Sequence, residues 1–228
     1  MNTKHMQAFF KQNDLPRLLG AVLLIAGLIW FWVGQTMLSY YIPIIIVPVG
    51  LFLFIFFSAK SVSETEVRST VEKAWEGLGD DVRNREDYAT LTRNMPEPFR
   101  ATGPFYLEEA TCFRRGKNST VVSDVYAATD LFFTQDSLMI RSRKICLTKG
   151  EVKDSALEIR WEDHPRAVLT PFTGQVALSN AHGSRVTVRG AMLEIYGDGD
   201  ALLFRTPIHD DMDAETLCAN IGRMTAAV

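Results

Sequence analysis

The 228-residue chain carries 24 Lys and Arg against 27 Asp and Glu, for a net charge of −3, and 47% of its residues are hydrophobic. Lys4, Lys11, Arg17 and Asp14 are the only formal charges before residue 58, so the remainder carries about −5, which excludes the strong basic face that nucleic acid requires. The three cysteines, Cys112, Cys146 and Cys218, have no metal-ligand spacing and leave one thiol over in any disulfide scheme, pointing to core thiols in a reducing compartment.

Residues 1–17 read as a cytoplasmic N-terminal segment and 18–59 as a two-helix transmembrane hairpin. Leu18 to Leu38 is a run without a formal charge, long enough at about 1.5 Å per residue to cross a hydrocarbon core about 30 Å thick. Tyr40 to Ala59 is as apolar and nearly as long. With only Ser39 and its neighbours between them, the helices are expected to run antiparallel, their backbone groups satisfied internally because lipid offers no partners. Pro43 is expected in the first turn of the second helix, and Pro48 is expected to kink it. Lys4, Lys11 and Arg17 precede the pair, Lys60, Arg68 and Lys73 follow it, and the turn has neither Lys nor Arg. The positive-inside rule therefore predicts a multi-pass protein of the cell membrane with both termini cytoplasmic. The first run exceeds a usual signal-peptide core and a second span follows it directly, which argues against cleavage. Tyr40 and Tyr41 suit the outer interface, with Trp30 and Trp32 near it.

Gly20, Gly27 and Gly34 recur every seven residues. They keep near one face of the first helix, a seam for close helix packing against the second helix, another membrane protein or a second copy. No Asp, Glu, Lys, Arg or His lies inside either span, which argues against a transporter or channel acting alone.

Residues 60–104 read as an amphipathic helix and a connecting segment. Ser63 and Glu66 have capping-box spacing ahead of Val67, Val71, Ala74, Trp75 and Leu78, with the helix ending near Gly77 to Gly79. Its apolar stripe rests on the domain or along the membrane surface; a polar face mixing Glu and Lys favours the domain. A short helix is expected around Glu86 to Thr92.

From 105 to 228 the period shifts toward two. Strands are predicted at Phe105 to Arg114, Thr120 to Phe133, Leu138 to Leu147, Leu157 to Glu162, Ala167 to Phe172, Gln175 to Ser179, Ser184 to Arg189, Ala191 to Tyr196 and Ala201 to Thr206. The punctuation at Arg115-Gly-Lys-Asn, Gln135-Asp-Ser, Ala181-His-Gly-Ser and Gly197-Asp-Gly-Asp is hairpin chemistry and implies antiparallel pairing. Pro207 stops the last strand, Asp211 or Asp213 caps a final helix, and Ala214, Leu217, Ile221 and Met224 fall at helical spacing. The fold class is thus α+β. The succession of antiparallel strands and a closing helix resembles a pleckstrin-homology-like (PH-like) barrel, and the whole order resembles bacterial membrane proteins in which a two-helix hairpin precedes such a domain. A split β-sandwich is the alternative.

Arg114, Arg115 and Lys117 surround one turn, and Arg141, Arg143 and Lys144 end a strand. These are the candidate contacts for anionic lipid headgroups or a partner, as a PH-like domain uses such groups; the competing reading is solvated strand ends balanced by nearby carboxylates. His5, His164, His182 and His209 lack paired metal spacing. Asp198 and Asp200 fit a tight turn better than a calcium loop, and Asp210, Asp211 and Asp213 suit a helix start. Gly116, Lys117 and Ser119 fail as a phosphate loop, since Thr111 stands where a glycine belongs. There is no nucleophile elbow and no dinucleotide fingerprint. The reading is a non-enzymatic adaptor or accessory subunit without cofactor or metal, which meets the bilayer and a membrane protein partner or a second copy. The rivals are an anionic-lipid sensor and a membrane-bound enzyme using Asp163, His164, Arg141 or Arg143. Asn118-Ser-Thr is a glycosylation sequon that a cytoplasmic domain leaves unused.

Overall fold

The computed structural model describes residues 3–11, 15–33, 37–59, 63–106, 110, 112–116, 120–179, 184–208 and 214–226. The fold is α+β: helices at the N-terminus, antiparallel sheets, and a helix at the C-terminus. Helix α1 (Thr3–Lys11) precedes two long apolar helices, α2 (Leu15–Val33) and α3 (Met37–Ala59). Gly20 lies against Gly50, Leu53 and Phe54, and Gly27 against Ile46 and Val47, so α2 and α3 run in opposite directions. Among the described residues α2 is the one helix long and apolar enough to cross a membrane, and the apolar stretch of α3 covers Tyr41–Phe57. Pro43 and Pro48 both lie inside α3. The helix starts earlier than the apolar run suggests, so Pro43 does not fall in its first turn.

Helix α4 (Glu64–Ala74) begins as the capping box requires: Ser63 Oγ accepts from the Glu66 amide at 3.1 Å. Short helices α5 (Asp80–Arg83) and α6 (Tyr88–Leu91) follow. The first strand, β1 (Phe99–Pro104), occupies the end of the segment that the sequence assigns to a connection. Its Phe-Arg-Ala-Thr-Gly-Pro sequence has small residues where strand patterns have branched ones. The cause is close packing: a Cβ on Gly103 would stand 3.1 Å from Pro207 on the last strand.

The remaining strands are β2 (Phe113–Arg115), β3 (Val121–Ser123), β4 (Val125–Phe133), β5 (Ser137–Cys146), β6 (Glu151–Arg160), β7 (Arg166–Ala177), β8 (Arg185–Tyr196) and β9 (Leu202–Ile208), followed by α7 (Ala214–Thr225). They form a four-stranded sheet β1-β4-β5-β6, a three-stranded sheet β7-β8-β9 and a two-stranded ribbon β2-β3, all antiparallel. Strands β7 and β8 are each continuous, where the sequence suggests two short strands apiece. Pro171 and Gly174 look like breaks, yet β7 is an edge, where a missing amide costs no ladder bond. Gly190 pairs with Phe172, whose ring lies over it: a Cβ there would come within 2.7 Å of the ring. Among the described residues of the span Phe105 to Arg114, read as one strand, only the start of β2 is strand, because β1 has already taken the place beside β4.

The main core lies between the two larger sheets and α7. Leu131, Phe133, Leu138, Ile140, Ile159 and Trp161 meet Leu193 and Ile195 from β8 and Leu217 and Ile221 from α7. Trp161 sits in a 3₁₀ turn after β6 and donates its Nε1 hydrogen to the Thr134 carbonyl at 2.9 Å. Alternation sends Phe132 and Met139 to the opposite face, where Val82 and Tyr88 cover them. Further along that outer face Ile145 and Leu147 pack with Val67 and Val71 of α4 and with Met6, Phe9 and Phe10 of α1. The four-stranded sheet is therefore covered on both faces, which explains the nearly unbroken burial of β4. Residues 1–17, read as a simple leading segment, contain a helix that belongs to this outer layer.

Candidate functional site

Period two places Arg141 and Arg143 on one strand face, as their spacing predicts, and that face is the outer one beneath the helices. Arg141 Nε donates to Asp81 of α5 at 2.6 Å. Arg143 forks onto Asp154 at 2.7 and 2.8 Å and also donates to the carbonyls of Ala74 and Glu76 at 3.0 and 3.1 Å. It thereby caps the C-terminal end of α4 with a cation, where the helix dipole favours one. The hydrogen bond from Arg143 holds the Asp154 carboxyl below its ordinary range and raises the guanidinium's own pKa in turn. Arg114 donates to the Phe9 carbonyl of α1 at 2.8 Å and lies 4.5 Å over the Phe9 ring, so it fastens α1 to the ribbon. Lys144 lies 5.2 Å over the Phe105 ring. Arg115 is exposed beside the ribbon turn, and Lys117 lies outside the described residues. Four of the six basic residues chosen from the sequence, Arg114, Arg141, Arg143 and Lys144, contact other parts of the same chain.

The strongest such use is one that sequence reading missed. Asp130 on β4 is 1% exposed, yet two arginines reach it. Arg100 of β1 donates to it at 2.5 and 2.7 Å, and Arg83 of α5 at 2.7 Å. Gly79 stands beside this carboxylate with φ of 77°; a Cβ there would come within 2.9 Å of Asp130 Oδ2 and 2.6 Å of the Phe132 ring. A left-handed backbone and lack of room both require glycine. The signal available in the sequence was Gly77-Leu-Gly79 between two helical patterns.

The seam glycines act within the pair. Gly20 and Gly27 are buried against α3, and Gly50 of α3 answers them, its Cβ position 2.8 Å from the Leu24 amide. Gly34 lies outside the described residues. His5 stands 3.2 Å from Glu66, and His164 has left-handed φ at the turn before β7; His182 and His209 lie outside the described residues. Asp198 and Asp200 form the turn between β8 and β9, where Asp200 accepts from Arg166 at 2.7 Å. Asp210, Asp211 and Asp213 lie outside the described residues, within which no cluster of His, Cys, Asp and Glu suits a metal ion. Cys112, Cys146 and Cys218 are partly buried thiols, and burial pushes Cys218 up.

A cleft of about 590 Å³ opens elsewhere on the outer face, between α4, the end of β1 and the ribbon. That volume lies in the range of small-molecule sites, roughly 300–1,000 Å³. One wall is a single stripe of α4, with Glu64, Arg68 and Glu72 spaced four apart and Trp75 a turn further. Thr102 to Pro104 and Tyr126 form the floor, and Tyr106 with Thr120 to Val122 the far side. Burial raises the Tyr126 phenol's pKa, with Tyr106 and Glu64 adding to it, so its hydroxyl stays neutral. Neither Arg68 nor Glu72 has an ion-pair partner within 4.0 Å among the described residues. Trp75 Nε1 is the one buried side-chain nitrogen or oxygen among them without an acceptor, a state that costs about 1–3 kcal/mol. Neither Asp163 nor His164 lines the cleft. The sequence marks the α4 stripe but not its opposite wall, which comes from residues 27 to 62 positions away. Comparison with known proteins gives no matching family model, no matching curated protein and no matching solved structure.

Proposed function

We propose that the chain is a membrane-anchored, non-enzymatic adaptor or accessory subunit, in which α2 and α3 cross the cell membrane as a hairpin and hold a PH-like domain at its cytoplasmic face. One observation carries this reading: α1 precedes the apolar pair, α4 follows it, and both bury side chains in the same cluster with Ile145 and Leu147. A chain crossing a bilayer once between them would put α1 and α4 on opposite sides; their shared core supports entry and return on the same side. The surface agrees, since the exposed large apolar residues run along α2 and α3 from Leu15 to Phe56, and elsewhere among the described residues only Val152, Leu202 and Leu203 join them. In water such a surface is untenable; in lipid it is the favourable one. The positive flanks set the cytoplasmic side.

The PH-like reading draws support from the sheets of four and three antiparallel strands closed by α7, with the helical layer α4 to α6 as an addition on the outer face. Two attachments, through α1 and through α4, fix the domain's orientation to the hairpin. Confinement at the membrane raises its effective concentration for other membrane-bound partners, so weak contacts suffice. The exposed edge β6 is available for such a contact. The internal ties of Arg114, Arg141 and Arg143 favour a protein partner over recognition of anionic headgroups by those residues.

The test is purification of the full chain from its own membranes in gentle detergent, followed by mass spectrometry. A fixed stoichiometric set of membrane proteins is expected. Recovery of the chain alone would sink the adaptor reading.

A further inference from the structure

We propose that the cleft along α4 binds a phospho-ammonium group, the chemistry shared by zwitterionic phospholipid headgroups and their soluble phosphoethanolamine or phosphocholine counterparts. The charges on its wall alternate: Arg68 lies between Glu64 and Glu72, one helical turn from each. A simple anion attracted to Arg68 meets two carboxylates, and a simple cation attracted to Glu72 meets the guanidinium. A group carrying both signs separated by two carbons spans about one helical turn, 5–6 Å between neighbouring side-chain positions. Its phosphate suits Arg68, a charge-assisted donor. Its ammonium suits Glu72 and the neighbouring Trp75 ring, because aromatic faces attract such cations.

A further observation points to an occupant. The cleft has the volume of a small-molecule site, and Trp75 lines it. The lipid source rests on the membrane reading above: α4 begins at Glu64, five residues past the end of α3 at Ala59, which holds this wall close to the headgroup layer.

The experiment uses the full chain in maltoside micelles, whose headgroups are uncharged, and follows the ¹⁵N–¹H signal of the Trp75 indole, assigned with Trp75→Phe. Titration with phosphoethanolamine is expected to move the signal saturably, with affinity falling about tenfold in both Arg68→Gln and Glu72→Gln, the loss of one charged contact. Unchanged signals elsewhere establish that the variants fold. Equal shifts from inorganic phosphate or ethanolamine alone, no saturable shift, or affinity indifferent to both variants would overturn the proposal. In nanodiscs, the same shift with phosphatidylethanolamine but not with phosphatidylglycerol identifies the lipid source; its absence there, with the micelle result intact, assigns the site to the soluble compound. The micelle arm does not depend on topology, so a site and a membrane orientation fail separately.

Discussion

The outer face of the four-stranded sheet treats charge in opposite ways at its two halves. Around Asp130, arginines from β1 and α5 converge on one buried carboxylate and lock the helical layer down. Along α4, Arg68 and Glu72 face an open cleft without an ion-pair partner among the described residues. Buried charge must be paired or the fold loses several kcal/mol, whereas charge left at a cleft is solvated and remains available to a ligand. The closed half holds the fold, and the open half can be altered without harming it.

Asp130→Ala should therefore have the largest effect. Breaking a buried pair costs about 3–5 kcal/mol, and the lower end is expected because Arg83 and Arg100 are half-exposed and regain water. Denaturant titration of the full chain would read it; a loss below roughly 1 kcal/mol, a surface-pair value, would remove the distinction. Gly79→Ala follows at about 1–3 kcal/mol, from left-handed strain and contact with Phe132 and Asp130.

The apolar pair offers a matched contrast. At Gly20 an added Cβ would meet the Phe54 amide at 2.8 Å, while at Gly222 of α7 nothing lies within 4 Å. Gly20→Ala should lower the melting temperature, and Gly222→Ala should raise stability by roughly 0.5–1 kcal/mol through helix propensity. Effects of the same sign would remove close α2–α3 packing from the account.

The Arg143–Asp154 fork gives a smaller effect that depends on pH. Asp154 has a folded pKa below its unfolded one, so its contribution is complete above the ordinary carboxylate range and disappears as pH falls through the folded value. Stability of wild type relative to Asp154→Asn should shrink on acidification below about pH 4. A constant difference would contradict the pairing. Smallest of all, Glu72→Gln in the open half should change stability by no more than about 0.5 kcal/mol; a larger loss would show that the cleft's charge belongs to the fold.

Local signals account for what could be read from the sequence. Ser63 and Glu66 marked the start of α4 because a cap is chemistry within four residues, and the four turn sequences fell between consecutive strands for the same reason. Strand β1 escaped notice because Ala101 and Gly103 are chosen by the nearness of β4 and β9, which no window of sequence contains. Arg141 and Arg143 were visible as a pair on one face, but their partners lie 60 and 11 residues away and the covering helices were not visible as a layer. The cleft joins the same class: its α4 stripe was legible, while β1 and the ribbon opposite were brought there by folding.

The most direct measurement of the central claim is labelling of single cysteines by a membrane-impermeant reagent, after Cys112, Cys146 and Cys218 are changed to Ser. Lys4 in α1 and Arg115 in the ribbon are exposed, and Gln35 falls in the sequence between the end of α2 at Val33 and the start of α3 at Met37. A hairpin with α1 and the domain together in the cytoplasm predicts labelling of Gln35→Cys in intact cells, and of Lys4→Cys and Arg115→Cys only after permeabilisation. Labelling of Lys4→Cys and Arg115→Cys from opposite sides would contradict the account, because one shared core cannot straddle a bilayer.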